Sequence, residues 1–282
     1  MSKTPKFLYR YCAINNFSLN SLFTNTIFVS DPSKFNDPYD STFALTYNLG
    51  KQLLDDAASA FDKSSKYYEN YKQLFDGNLS EKDELCRYEI YRNFCDAGSL
   101  GGILLDQHQK AKEFVRNRSV ACLSALEPTQ PKAILMWSHY AEQHKGICLA
   151  YNKSKLESAL NNTNVKFILE PVVYKSNRNI YEKIPDSIGY DFGSIERFLL
   201  DSLFRKANFW RYEKEYRLVA ESAPQSIDCA GALEKIYFGT RTPSVDMDTI
   251  FSFAFYNKIS LVKTDIDYEK YRIKKLKEFE IK

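Results

Sequence analysis

Two carboxylates and a guanidinium stand at alternate positions in Glu213-Lys214-Glu215-Tyr216-Arg217, just after Trp210 and Tyr212. The alternation and the β-branched and aromatic residues of Tyr216-Arg217-Leu218-Val219 predict a strand. Side chains two apart on a strand share a face, so Glu213, Glu215 and Arg217 are expected on one side. Such a set beside aromatic rings can hold a sugar hydroxyl and steady a developing positive charge. The same residues also suit a solvated strand edge on which Glu215 simply pairs with Arg217.

The elements that must position this motif are legible in outline. A helical pattern over 196–204 leads into it, after a polar segment over 177–190 that reads as a loop. Short strands are expected at 7–11 and 26–30, separated by a short helix or turn from Ser18 to Phe23 with Ser18 as its cap. The second strand runs into Asp31-Pro32-Ser33-Lys34-Phe35-Asn36-Asp37-Pro38-Tyr39-Asp40, whose two prolines make it a loop. A connector has no need of so dense a hydrogen-bonding set as Ser30, Asn36, Asp37 and Asp40. Further strands are expected at 120–124, 146–151, 165–174 (one longer strand or a bulged pair around Pro171), 235–239 and 259–263, with an edge strand or tail at 271–281. A helix from Lys132 is expected to stop near Gly146 as its C′ glycine, and another spans 245–256. Apolar spacing over about 51–118 predicts a helical insertion. The simplest organisation is one α+β domain over 1–282, a mixed β core carrying that inserted helical region.

Composition narrows the function classes. The 282 residues carry 39 Lys and Arg against 36 Asp and Glu, a net +3, so the chain is not built to coat a polyanion. A local basic groove for nucleic acid is still allowed. No window approaches the ~20 apolar residues of a membrane span. The N-terminal residues lack an apolar leader, and the six cysteines form no Cys-x-x-Cys, so a cytoplasmic protein with reduced thiols and no membrane partner is expected. With ten glycines and no glycine-rich fingerprint, a Rossmann dehydrogenase is not expected. His139, His144 and Cys148 match no compact metal spacing, so no metal is expected.

Leu8-Tyr9-Arg10-Tyr11, Ile27 through Lys34, and Glu213-Lys214-Glu215-Tyr216 together resemble the three-part signature of NAD-dependent ADP-ribosyltransferases. Leu-Tyr-Arg-Tyr, Phe-Asn-Asp-Pro-Tyr-Asp, Trp-Ser-His-Tyr-Ala and Glu-Lys-Glu-Tyr-Arg also resemble a family of uncharacterised bacterial proteins over nearly the whole chain. The first resemblance implies a small ADP-ribosyltransferase-like mixed β core and NAD as substrate. It implies that Glu215 stabilises the oxocarbenium formed when nicotinamide leaves, and that Glu213 orients or deprotonates the acceptor. Arg10 would grip a phosphate or the ribose, and Ser30 would brace Glu215, with Ser124 a competitor for that role. Asn36, Asp37 and Tyr39 would wall the NAD pocket, and His139 joins the cofactor-binding set. The acceptor would be RNA, DNA or protein, in a bacterial toxin or phage-defence effector with an antitoxin or inhibitor as a further partner. NAD glycohydrolysis is a close variant. Two alternatives remain open: a non-catalytic regulatory protein in which Arg10, Asp37 and Glu215 form a buried ionic network, and a nuclease with Asp31, Asp37, Asp40 and Glu215 around a metal.

Overall fold

The structure is a computed structural model describing residues 4–35, 37, 117–176 and 200–280. The chain divides into two compact units: Met1–Ser41, Asn117–Ser176 and Leu203–Lys282 form the first, Thr42–Arg116 and Asn177–Ser202 the second. The helical insertion expected over 51–118 lies outside the described residues apart from 117 and 118, and so does most of the helix expected over 196–204. Apart from 200–202, the described residues belong to the first unit.

The centre of that unit is an eight-stranded sheet. From edge to edge it runs β12 (Arg272–Phe279), β11 (Ser260–Asp267), β10 (Leu233–Phe238), β4 (Ile147–Asn152), β1 (Phe7–Cys12), β3 (Ser119–Ser124), β8 (Glu215–Ala220) and β5 (Phe167–Pro171). All neighbours are antiparallel except β10 and β11, which α4 (Ser244–Tyr256) connects as a crossover. The fold is therefore mixed α+β, with a larger and mostly antiparallel sheet than the small core expected. β4 is buried along nearly its whole length, as its continuous apolar run Ile147-Cys-Leu-Ala-Tyr requires of a central strand. Pro171, without an N–H to donate, ends the edge strand β5.

Each face of the sheet carries its own core. On one, Leu8, Leu123, Leu149 and Leu218 pack with Leu156 and Leu160 of α3 (Lys153–Asn161) and with Ile250 and Ala254 of α4. On the other, Tyr9 and Tyr11 pack with Ala133, Met136 and Trp137 of α2 (Ala133–Tyr140). The first helix, α1 (Asn16–Phe23), is capped by Asn15 rather than Ser18. Asn15 accepts from the Ser18 N–H, and the Ser18 hydroxyl accepts from the Asn15 N–H, a reciprocal capping box. Two small pairs complete the unit: β2 (Thr26–Val29) with β9 (Gln225–Asp228), and β6 (Val173–Lys175) parallel to β7 (Arg205–Ala207). The segment expected as one longer strand or a bulged pair around Pro171 is two strands, β5 and β6, and they lie in different sheets.

The α2 helix stops at Tyr140, well before Gly146. Glu142, Gln143 and His144 follow in left-handed conformation, so the chain turns before the glycine is reached. Gly146 is needed for closeness instead, because a Cβ there would sit 2.2 Å from the Cys12 carbonyl oxygen. Among the described cysteines, Cys12, Cys122, Cys148 and Cys229 are all free.

Candidate functional site

Glu215 is the first residue of β8, and it is held by its strand neighbours before its side chain does anything. Tyr9, Ser124 and Glu215 stand opposite one another across β1, β3 and β8, so their side chains share a face. The Glu215 N–H donates to the Tyr174 hydroxyl at 2.8 Å, and its carbonyl accepts from the Val172 N–H at 2.9 Å. Glu213 reaches the same place by another route than the strand spacing predicts. It ends a 3-10 turn, Asn208–Glu213, and Lys214 then adopts a left-handed conformation (φ 47°) that turns the chain into β8. The Ser124 hydroxyl donates to the Glu213 carbonyl at 2.5 Å and accepts from the Leu126 N–H at 2.9 Å, pinning the turn to β3.

The two carboxylates meet on one cation. Lys206 Nζ donates to Glu213 Oε2 at 2.7 Å and to Glu215 Oε2 at 2.8 Å. Arg217 Nε donates to Glu215 Oε1 at 2.7 Å, and its Nη1 to the Leu203 carbonyl at 2.6 Å. The Tyr140 hydroxyl donates to Glu213 Oε1 at 2.6 Å. Glu213 and Glu215 are each only 3 % exposed and Arg217 is fully buried, so these pairs work in a poorly solvated medium. The Trp210 ring covers Lys206 from 5.1 Å, and Phe35 lies 5.5 Å from the Arg217 guanidinium.

That environment drives the two carboxyls apart. Burial alone would raise Glu215, but Arg217 and Lys206 outweigh it and hold the carboxyl down at about 2. For Glu213 burial wins over Lys206 and Tyr140, Glu215 adds repulsion, and its carboxyl is raised. Lys206 is opposed by burial but raised by Glu215 and Glu213, so it stays an ammonium. Tyr140 is raised by burial first and by Glu213 second, which keeps it a proton donor. One carboxylate stays ionised and the other is poised to take a proton.

Both carboxylates line a cleft of about 390 Å³ together with Tyr9, Arg10, Ser30, Lys34, Cys122 and Ser124. Arg10 follows Tyr9 and so leaves the opposite face of β1. It reaches the same cleft because β1 and β3 share a single register pair, Tyr9 with Ser124, and then part. Arg10 and Ser30 are therefore gathered with Glu213 and Glu215. Ser30 does not brace Glu215: its hydroxyl donates to the Val120 carbonyl at 3.3 Å, and its backbone bridges Val120. Ser124 braces the Glu213 backbone instead. His139 is exposed on α2 and is not among the residues lining the cleft, because the next residue, Tyr140, is the one that turns inward. Asp37 is buried, whereas Asn36 and Tyr39 lie outside the described residues.

The buried ionic network is built on Lys206 and Arg217 rather than on Arg10. Sequence reasoning missed Lys206, Tyr140 and Tyr174. The available signal was a lysine ahead of an aromatic turn and a tyrosine beside the histidine of Trp-Ser-His-Tyr. Among the described residues no group of three or more His, Cys, Asp or Glu side chains is placed to hold a metal ion, and Asp40 falls outside them.

Residues 136–218 match a family described as a protein of unknown function, DUF2971. The matched segment contains Tyr140, Tyr174, Lys206, Glu213, Glu215 and Arg217, while Arg10, Ser30, Cys122 and Ser124 precede it. No curated protein and no solved structure matches the chain.

Proposed function

We propose that the chain breaks the nicotinamide–ribose bond of NAD at the Glu213–Glu215 pair, transferring ADP-ribose to a macromolecular acceptor or to water. The reading rests on one observation: Glu213 and Glu215 line the same cleft as Arg10 and Ser30. Arg217 and Lys206 favour the ionised form of Glu215, and burial raises Glu213. The C1′–N bond breaks with its electron pair leaving on nicotinamide, which departs neutral. The ribose becomes oxocarbenium-like, and the Glu215 carboxylate stabilises that charge. An acceptor nucleophile then bonds to C1′ and its proton passes to Glu213, whose raised affinity for protons suits a base. Arg10 and Lys34 supply cations for the pyrophosphate in the same cleft. Such an activity fits a toxin or phage-defence effector, whose host would need an inhibitor partner.

A second reading is supported by the completeness of the cluster. Every oxygen of Glu213 and Glu215 already accepts a hydrogen bond within the chain. A non-catalytic protein would use such a network only to fix the β8 end of the sheet. Cofactor binding separates the two. Equilibrium dialysis against labelled NAD at millimolar concentration is expected to show retention by wild type. Arg10→Ala should lower that retention at least about fivefold. No retention by wild type supports the structural reading instead.

A further inference from the structure

The turn that delivers Glu213 presents more aromatic surface than its packing uses. Phe209 is 70 % exposed, an unusual position for a phenylalanine in a turn pinned at both ends. Its ring lies 5.8 Å from that of Trp210, which lies 6.1 Å from that of Tyr212, so three rings form one tilted series. The Trp210 indole N–H is buried and has no hydrogen-bond partner among the described residues. A donor in that state is costly unless a group beyond the described residues accepts from it.

The surface charge around these rings is positive. Segment 205–217 carries five cationic side chains and two carboxylates. The two carboxylates are Glu213 and Glu215, which are buried and already faced by Lys206 and Arg217. Arg211 is exposed between Trp210 and Tyr212 in the sequence, Lys214 is exposed just after the turn, and Lys132 is exposed on the segment leading into α2. Stacking faces interleaved with exposed cations are what an unpaired nucleotide strand requires: rings for the bases, guanidinium and ammonium for the phosphates. An acidic peptide would use the cations but leave the rings idle, and an apolar partner would strand Arg211.

We propose that the Asn208–Glu213 turn is a docking platform for single-stranded nucleic acid, with a base stacked on Phe209 and the backbone on Arg211 and Lys214. Docking does not depend on NAD chemistry. If the transferase reading holds, the platform sets the acceptor class, because Trp210 touches Lys206 and Lys206 touches both carboxylates.

The chain has its own reporter. Of its two tryptophans, Trp137 is fully buried, so quenching by a strand docked on the turn reads Trp210. The full-length protein is titrated, without NAD, with twelve-nucleotide oligo(U), oligo(dT) and a duplex of the same length at about 50 mM salt. Both single strands are expected to quench, and the duplex to bind at least about tenfold more weakly, since its bases are not available to stack. Phe209→Ala, at an exposed position with little packing to lose, should weaken single-strand binding about tenfold or more. Arg211→Ala should weaken it and lower the slope of log affinity against log salt by about one. No quenching by any strand, equal affinity for duplex, or wild-type binding by Phe209→Ala overturns the proposal. Retention of a protein partner through Phe209 without oligonucleotide binding overturns it too, and reassigns the surface. Nicotinamide release in the absence of nucleic acid tests the transferase reading separately.

Discussion

Lys206 stands between two carboxylates that would otherwise repel each other in a medium too dry to screen them. The ammonium serves both at nearly equal distance, and the deciding group is Arg217, which pairs with Glu215 and adds a second cation there. Glu215 is consequently the ionised partner. Its carboxyl lies at about 2 in the folded protein against an ordinary 4.5, so it binds a proton more weakly folded than unfolded. Its contribution to stability is therefore present above pH 4.5 and lost as pH falls from 4.5 toward 2, a span on the order of 3 kcal/mol. Glu213 is raised and acts in the opposite sense, favouring the folded state as it takes up its proton. Urea denaturation of wild type and Glu215→Gln at pH 6 and pH 3 should show a variant that is weaker at pH 6. The variant should also lose less stability than wild type on acidification. Parallel losses in the two proteins would mean that Glu215 is not held down by its partners.

At the scale of elements, the site is a consequence of how β8 begins. The alternation of Tyr216-Arg217-Leu218-Val219 was enough to predict that strand, and the co-facial placement of Glu215 and Arg217 follows from it. Glu213 was expected beside them for the wrong reason. It is in a 3-10 turn, and only the left-handed Lys214 and the Ser124 hydroxyl bring it back to Glu215. Neither a left-handed lysine nor a hydrogen bond across 89 residues leaves a periodicity to read. For Lys206 only its place ahead of an aromatic turn could be read, because its reach depends on the β6–β7 pairing and on the turn between it and Glu213. Ser124→Ala tests the element directly. It removes the strap to Glu213 and strands the buried Leu126 N–H, and should cost about 1–3 kcal/mol in denaturant unfolding. A change within about 0.5 kcal/mol would show that the turn holds itself.

Across the whole unit, two hydrophobic cores fix the two faces of an eight-stranded sheet, and the cleft opens where β1 and β3 separate. That separation lets Arg10, from one face, and Glu215, from the other, line one cavity. The strands on either side were legible from their alternation, but their divergence was not, because register is a property of pairs rather than of either strand. Nicotinamide release is the direct readout of the chemistry proposed for the carboxylate pair on NAD. Wild type, Glu213→Gln and Glu215→Gln, matched for folding by circular dichroism, are incubated with NAD and cell extract that supplies acceptors. Wild type is expected to release nicotinamide, and Glu215→Gln, which keeps its shape but not its charge, to lose about 10²–10⁴-fold. Glu213→Gln should keep releasing nicotinamide to water while transfer to an acceptor falls. No release by wild type, or a Glu215→Gln variant as active as wild type, would contradict that chemistry.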